Sequence, residues 1–98
     1  MDNALEYSNE KGGEGVLTDW EVGQQLRALR LLSGVTQEYV AYCARTTQAQ
    51  IARVELGSRQ PTLCVLRGYA RATGDPEAVL RICEAAILGL AYDDAVSA

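Results

Sequence analysis

Residues 36–62 read TQEYVAYCARTTQAQIARVELGSRQPT, and how this stretch divides decides the fold. Thr36 precedes a run in which Val40, Ala41 and Ala44 fall on one side of a helix, and Thr47 precedes a second in which Ile51 and Val54 do. A threonine in such a place uses its hydroxyl to accept a backbone N–H that the first helical turn leaves without a partner. Gln50, three residues after Thr47, repeats the spacing of a capping box. Gly57 ends the second run. The reading is two short helices, the first over Gln37 to Ala44, joined through a tight connection at Arg45-Thr46. Such a pair cannot bury itself alone. It needs a small residue where its axes cross, for which Ala41 is placed, and further helices around it.

The flanking sequence supplies them. Thr18 with Glu21 forms a capping box, and Leu17 with Val22 a hydrophobic staple, so a helix is expected from there to about Leu32, with Val22, Leu26 and Leu29 on one face and Gly34 as its left-handed stop. Pro61 and Thr62 open a fourth helix through Leu63, Leu66, Tyr69 and Ala70, closed by Gly74. Asp75-Pro76-Glu77 joins an acidic cap to a proline in the first turn. The fifth helix then sets Val79, Ile82, Cys83, Ala86, Ile87 and Leu90 at i, i+3, i+4, i+7 spacing. No segment alternates like a strand. Residues 1–16 are acidic, carry Gly12, Gly13 and Gly15, and hold no sustained period, which reads as a mobile arm. The expectation is an all-α domain of five short helices behind that arm.

Composition removes several function classes. The 98 residues contain no histidine and three cysteines, Cys43, Cys64 and Cys83, about 20 positions apart. Zinc needs four ligands at short spacings, so no metal is expected and the cysteines read as reduced thiols. With no Gly-rich phosphate loop and no paired carboxylates in a plausible cleft, neither an enzyme nor a cofactor is expected. No apolar run approaches the roughly 20 residues that cross a bilayer, and the N-terminus lacks a signal-peptide pattern, so a cytoplasmic protein with no membrane partner is expected. The net charge of −4 is unevenly distributed: −5 over residues 1–21, +3 over residues 22–61 and −2 over residues 62–98. A phosphate responds to the local field, and the basic segment is the two-helix stretch. The total charge predicts weak non-specific binding to nucleic acid.

The second helix of the pair opens Thr47-Gln48-Ala49-Gln50, with Arg53 one turn on. A glutamine amide can donate to N7 and accept from N6 of adenine, and an arginine can pair with guanine or clamp a phosphate. Three motifs, VGQQLRALRLLSGVTQEYVA from Val22, TTQAQIARVELGSRQPTL from Thr46 and YARATG from Tyr69, together resemble the Cro/repressor-type (lambda-repressor-like, XRE) helix-turn-helix family. The resemblance runs from Val22 to Gly74, in order and without gaps. It implies double-stranded DNA as partner, with Gln48 as leading base-reading residue and Ala49, Gln50 and Arg53 as further recognition positions. Gln50 either reads a base or is spent on capping. Phosphate contacts are implied at Gln37 and Arg59, with Thr47 and Arg45 placed to add to them. Arg30 and Glu55 match a structural ion pair of the family. The sequence departs from the pattern at Arg45, where glycine is usual, and at Leu31-Leu32, where polar residues are usual.

The organisation expected is therefore the arm at 1–16, a helix-turn-helix DNA-binding domain at 17–74 and a C-terminal helix at 75–95. The apolar stripe of that last helix is longer than closure of a core requires. Ile82, Ala86, Ile87 and Leu90 are accordingly expected at a two-fold dimer interface. The function expected is a transcriptional regulator, a repressor, reading a palindromic site. The alternative on the same scaffold is an antitoxin or anti-activator that grips a protein through the arm or the fifth helix.

Overall fold

The computed structural model describes residues 17–88, which form five helices. They are α1 (Asp19–Leu32), α2 (Gln37–Ala44), α3 (Gln48–Glu55), α4 (Leu63–Thr73) and α5 (Pro76–Leu88). The segment read as an arm and residues 89–98, Leu90 among them, lie outside the described residues.

Each start is set by the cap the sequence announces. Thr18 and Glu21 complete both halves of a capping box, with the Thr18 N–H donating to Glu21 Oε1 at 2.9 Å and the Glu21 N–H to Thr18 Oγ1 at 3.1 Å. The hydroxyls of Thr36, Thr47 and Thr62 accept from the backbones of Tyr39, Gln50 and Val65. Asp75 Oδ1 accepts from the Ala78 N–H at 3.1 Å. Only the first of these is a full box: no hydrogen bond returns from the Gln50 side chain to Thr47, so Gln50 is not spent on capping.

The helices close around Leu26, Val40, Ile51, Val54 and Tyr69, all at most 1% exposed, with Val65, Val79 and Ile82 completing the core. The most extensive contact joins α2 to α4. There Gly68 lies so close to α2 that a Cβ would sit 2.4 Å from that of Ala44. Gly23 does the same for α1 and α3, where a Cβ would meet the Val54 carbonyl oxygen at 2.2 Å. Ala41 is buried as expected, but the narrowest approaches fall at these two glycines.

The structure corrects several apolar assignments. Ile82, expected at a dimer interface, is 4% exposed and packs into the chain's own core, while Ala86 is half-buried against it. The reason is helical geometry: the stripe from Val79 to Leu88 wraps too far around α5 for one face. Val79, Ile82 and Ala85 turn inward while Leu80, Ile87 and Leu88 turn outward. Leu63 at the start of α4 is exposed, and the inner face of that helix is built from Val65, Gly68 and Tyr69. Leu31 and Leu32 are exposed as well.

Candidate nucleic-acid interface

The turn between α2 and α3 runs through Arg45 at φ 57° and ψ 46°, the one left-handed non-glycine residue among the described residues. That conformation lets the Arg45 N–H donate to the Tyr42 carbonyl at 3.2 Å and the Thr46 N–H to that of Ala41 at 3.0 Å. α2 is thereby closed sharply and the chain redirected into α3.

The first turn of α3 is then presented outward. Thr47, Gln48, Ala49 and Arg53 are exposed, Gln50 is half-buried, and Ile51, Val54 and Glu55 hold the opposite side in the core. Gln48 is not loose on this surface. Its Nε2 donates to Gln37 Oε1 at 3.3 Å, and Gln37 Nε2 donates in turn to Glu55 Oε1 at 2.9 Å. Gln48 keeps its own carbonyl oxygen free of any partner among the described residues, which leaves an acceptor for a base edge.

Glu55, 2% exposed, is the anchor of this arrangement. Arg30 grips it with two hydrogen bonds, Nε to Oε2 at 2.7 Å and Nη2 to Oε1 at 3.1 Å, and the Tyr69 hydroxyl donates to Oε2 at 2.7 Å. Arg30 also donates to the Val35 carbonyl at 3.0 Å, tying down the loop before α2. Burial works to raise the Glu55 carboxyl, but the hydrogen bonds from Arg30, Gln37 and Tyr69 outweigh it and hold the group below the usual carboxylate range. Burial and the bond to Glu55 push the Tyr69 hydroxyl well above its ordinary value, so it stays a donor.

Sequence reading located Arg30 and Glu55 but missed that Tyr69 and Gln37 complete the cluster. Tyr69 stood inside an apolar stripe, with nothing local to show which polar group its hydroxyl would meet. Arg45 and Arg59 are exposed and line one cleft together with Gln50. Tyr39 stacks on Tyr42 with ring centroids 6.4 Å apart, both rings exposed.

Two short helices, a left-handed turn and an outward first turn braced from beneath form a helix-turn-helix. A profile of the helix-turn-helix domain family matches residues 21–91. The chain belongs to that family. In this helix-turn-helix protein α3 occupies the recognition position, and the Cro/XRE-type resemblance read from the motifs holds. A crystal structure of the restriction-modification controller protein C.AhdI from Aeromonas hydrophila is similar to it, with 29% identity and a TM-score of 0.55. That similarity covers 62% of this chain and 94% of the other. Among curated protein sequences, none matches the chain. The family and this likeness make the helix-turn-helix protein a DNA-binding transcription regulator, with double-stranded DNA as its partner. Among the described residues no helix is long and apolar enough to cross a membrane.

Proposed function

We propose that the protein is a repressor that reads the major groove with α3, as a homodimer on a palindromic site. The observation that carries this reading is the brace beneath Gln48: a base-reading amide tied through Gln37 to a buried carboxylate that three other helices hold. A side chain fixed before it meets DNA loses less freedom on binding, and so discriminates better between bases. Gln48, Ala49 and Arg53 form the reading face, with Gln50 at its edge. Gln37, Thr47, Arg45 and Arg59 are the phosphate contacts.

The outer face of α5 supports pairing of two copies. Leu80, Ile87 and Leu88 stand exposed together, and apolar side chains gathered on one helix face gain by being covered. A two-fold pair would set its recognition helices about 34 Å apart, one turn of duplex. The similar protein C.AhdI is a restriction-modification controller protein, and a controlling role for this chain is in keeping with that likeness.

Selection of bound sites from a random duplex pool, with Gln48→Ala in parallel, tests the reading. Recovery of a palindrome that the variant loses or relaxes is the expected result. No enrichment even at low salt would reduce the helix-turn-helix to a scaffold and leave the protein-binding alternative in its place.

A further inference from the structure

A cleft of about 610 Å³ lies between the C-terminal end of α2, the flank of α3 and the outer face of α4. Arg45, Arg59, Arg67 and Arg71 line it, half of the chain's eight arginines, and its lining contains no carboxylate. Among the described residues the one salt bridge is Arg30–Glu55, so none of the four is neutralised there. This is the reverse of the chain's average, a net charge of −4. Four guanidinium groups gathered on one concave wall repel one another until an anion enters, and guanidinium groups match phosphate oxygens in pairs. Gln50 shares the wall; its side-chain oxygen is buried without a hydrogen-bond partner, and no hydrogen bond among the described residues engages its amide nitrogen.

The position of the cleft says which phosphates would enter. At about 100° per residue, Ala49 and Arg53 mark the outer face of α3. Gln48 and Glu55, which hold Gln37, lie to one side of that face, while Gln50 and Val54, which line the cleft, lie to the other. A helix lying in a major groove about 12 Å wide has a phosphate strand on each flank. Gln37 faces one strand and the arginines the other.

We propose that this cleft is a second backbone-binding site, in which Arg67 and Arg71 of α4, with Arg45, carry the contact with the opposite strand past Arg59. The inference rests on α3 being the recognition helix. Arg67 and Arg71 stand one turn apart on the exposed side of α4, where neither contributes to the core. They are phosphate contacts, so they set affinity and salt dependence and leave base preference unchanged.

The test measures affinity against salt concentration for the duplex recovered by site selection, using the full chain, Arg67→Ala/Arg71→Ala and Arg67→Lys/Arg71→Lys. Each lost phosphate contact lowers the log–log slope by about 0.9. The alanine pair is expected to flatten the slope by about 2, so that it loses roughly 10-fold less affinity than the wild type between 50 and 200 mM salt. The lysine pair keeps the slope, and both variants select the same site. Exposed Cys64 on the cleft wall gives a readout that needs no variant: DNA should slow its alkylation in the unmodified protein, relative to Cys83 on α5. A recovered duplex with an unflattened slope and an unprotected Cys64 overturns this proposal alone, and failure to recover any duplex overturns the recognition reading along with it. If pyrophosphate raises the melting temperature of the wild type but not of the alanine pair while the DNA slope stays unchanged, the cleft serves a small phosphorylated ligand instead.

Discussion

Glu55 concentrates the stability and the function of this protein in one side chain. Its carboxylate is out of water and held by Arg30, Tyr69 and Gln37, and the last of these carries the contact to Gln48. Removing one partner of a buried pair leaves the other charge uncompensated, at about 3–5 kcal/mol. Glu55→Gln should therefore lose about 3 kcal/mol at neutral pH. The pH dependence follows from a folded-state pKa below the unfolded value of about 4.3. The stabilisation is complete above that value and is lost as pH falls through the folded pKa, because the unfolded chain then binds the proton more readily. Melting curves taken from neutral pH down to about pH 3 should show the wild type falling toward the Gln variant; a constant gap between them would disprove the linkage. Arg45 carries the opposite kind of effect. A left-handed arginine stores roughly 1–2 kcal/mol of backbone strain, partly offset in a glycine variant by the greater freedom of the unfolded chain. Arg45→Gly is expected to raise the melting temperature by a few degrees and to weaken DNA binding, because the side chain lines the basic cleft. A lower melting temperature would mean that the turn is not strained.

At the scale of the helices, starts were legible and faces less so. Thr18, Thr36, Thr47, Thr62 and Asp75 announce the five helices because a cap is a contact within three residues, complete in the local sequence. The inner face of α4 was not legible because Leu63, Val65, Leu66, Tyr69 and Ala70 occupy a broad arc of the helix, and only the position of α2 decides which of them turn inward. Gly68 is the decisive residue, since it lets α4 settle against Ala44. Glycine within a helix ordinarily costs about 1 kcal/mol relative to alanine, so a Gly→Ala change usually stabilises. Here the added Cβ would meet the Ala44 Cβ at 2.4 Å, and overpacking of this kind costs about 1–3 kcal/mol. Gly68→Ala should lower the melting temperature, whereas a rise would show that the two helices separate without penalty.

For the whole molecule, assembly and charge distribution matter most. Ile87, 80% exposed beside Leu80 and Leu88, is the surface residue through which two copies are proposed to meet. Ile87→Glu should leave a folded monomer with weakened operator binding, and a variant that still sediments as a dimer would place the interface elsewhere. Ile82, expected from the sequence at the same interface, shows where sequence reasoning stopped. The stripe on α5 announced more apolar surface than one core needs, but its period could not say which residues the chain would keep for itself. By itself the sequence determined the helix starts, the tight connection at Arg45-Thr46, the outward first turn of α3 and the partnership of Arg30 with Glu55, because short-range hydrogen bonding and family motifs write these into neighbouring residues. Only the tertiary structure decided that Tyr69 and Gln37 complete the Glu55 cluster, that Ile82 is core while Ile87 is surface, and that four arginines from the α2–α3 turn, the α3–α4 loop and α4 share one wall. Those are meetings between residues far apart in the chain, and their partners are chosen by packing.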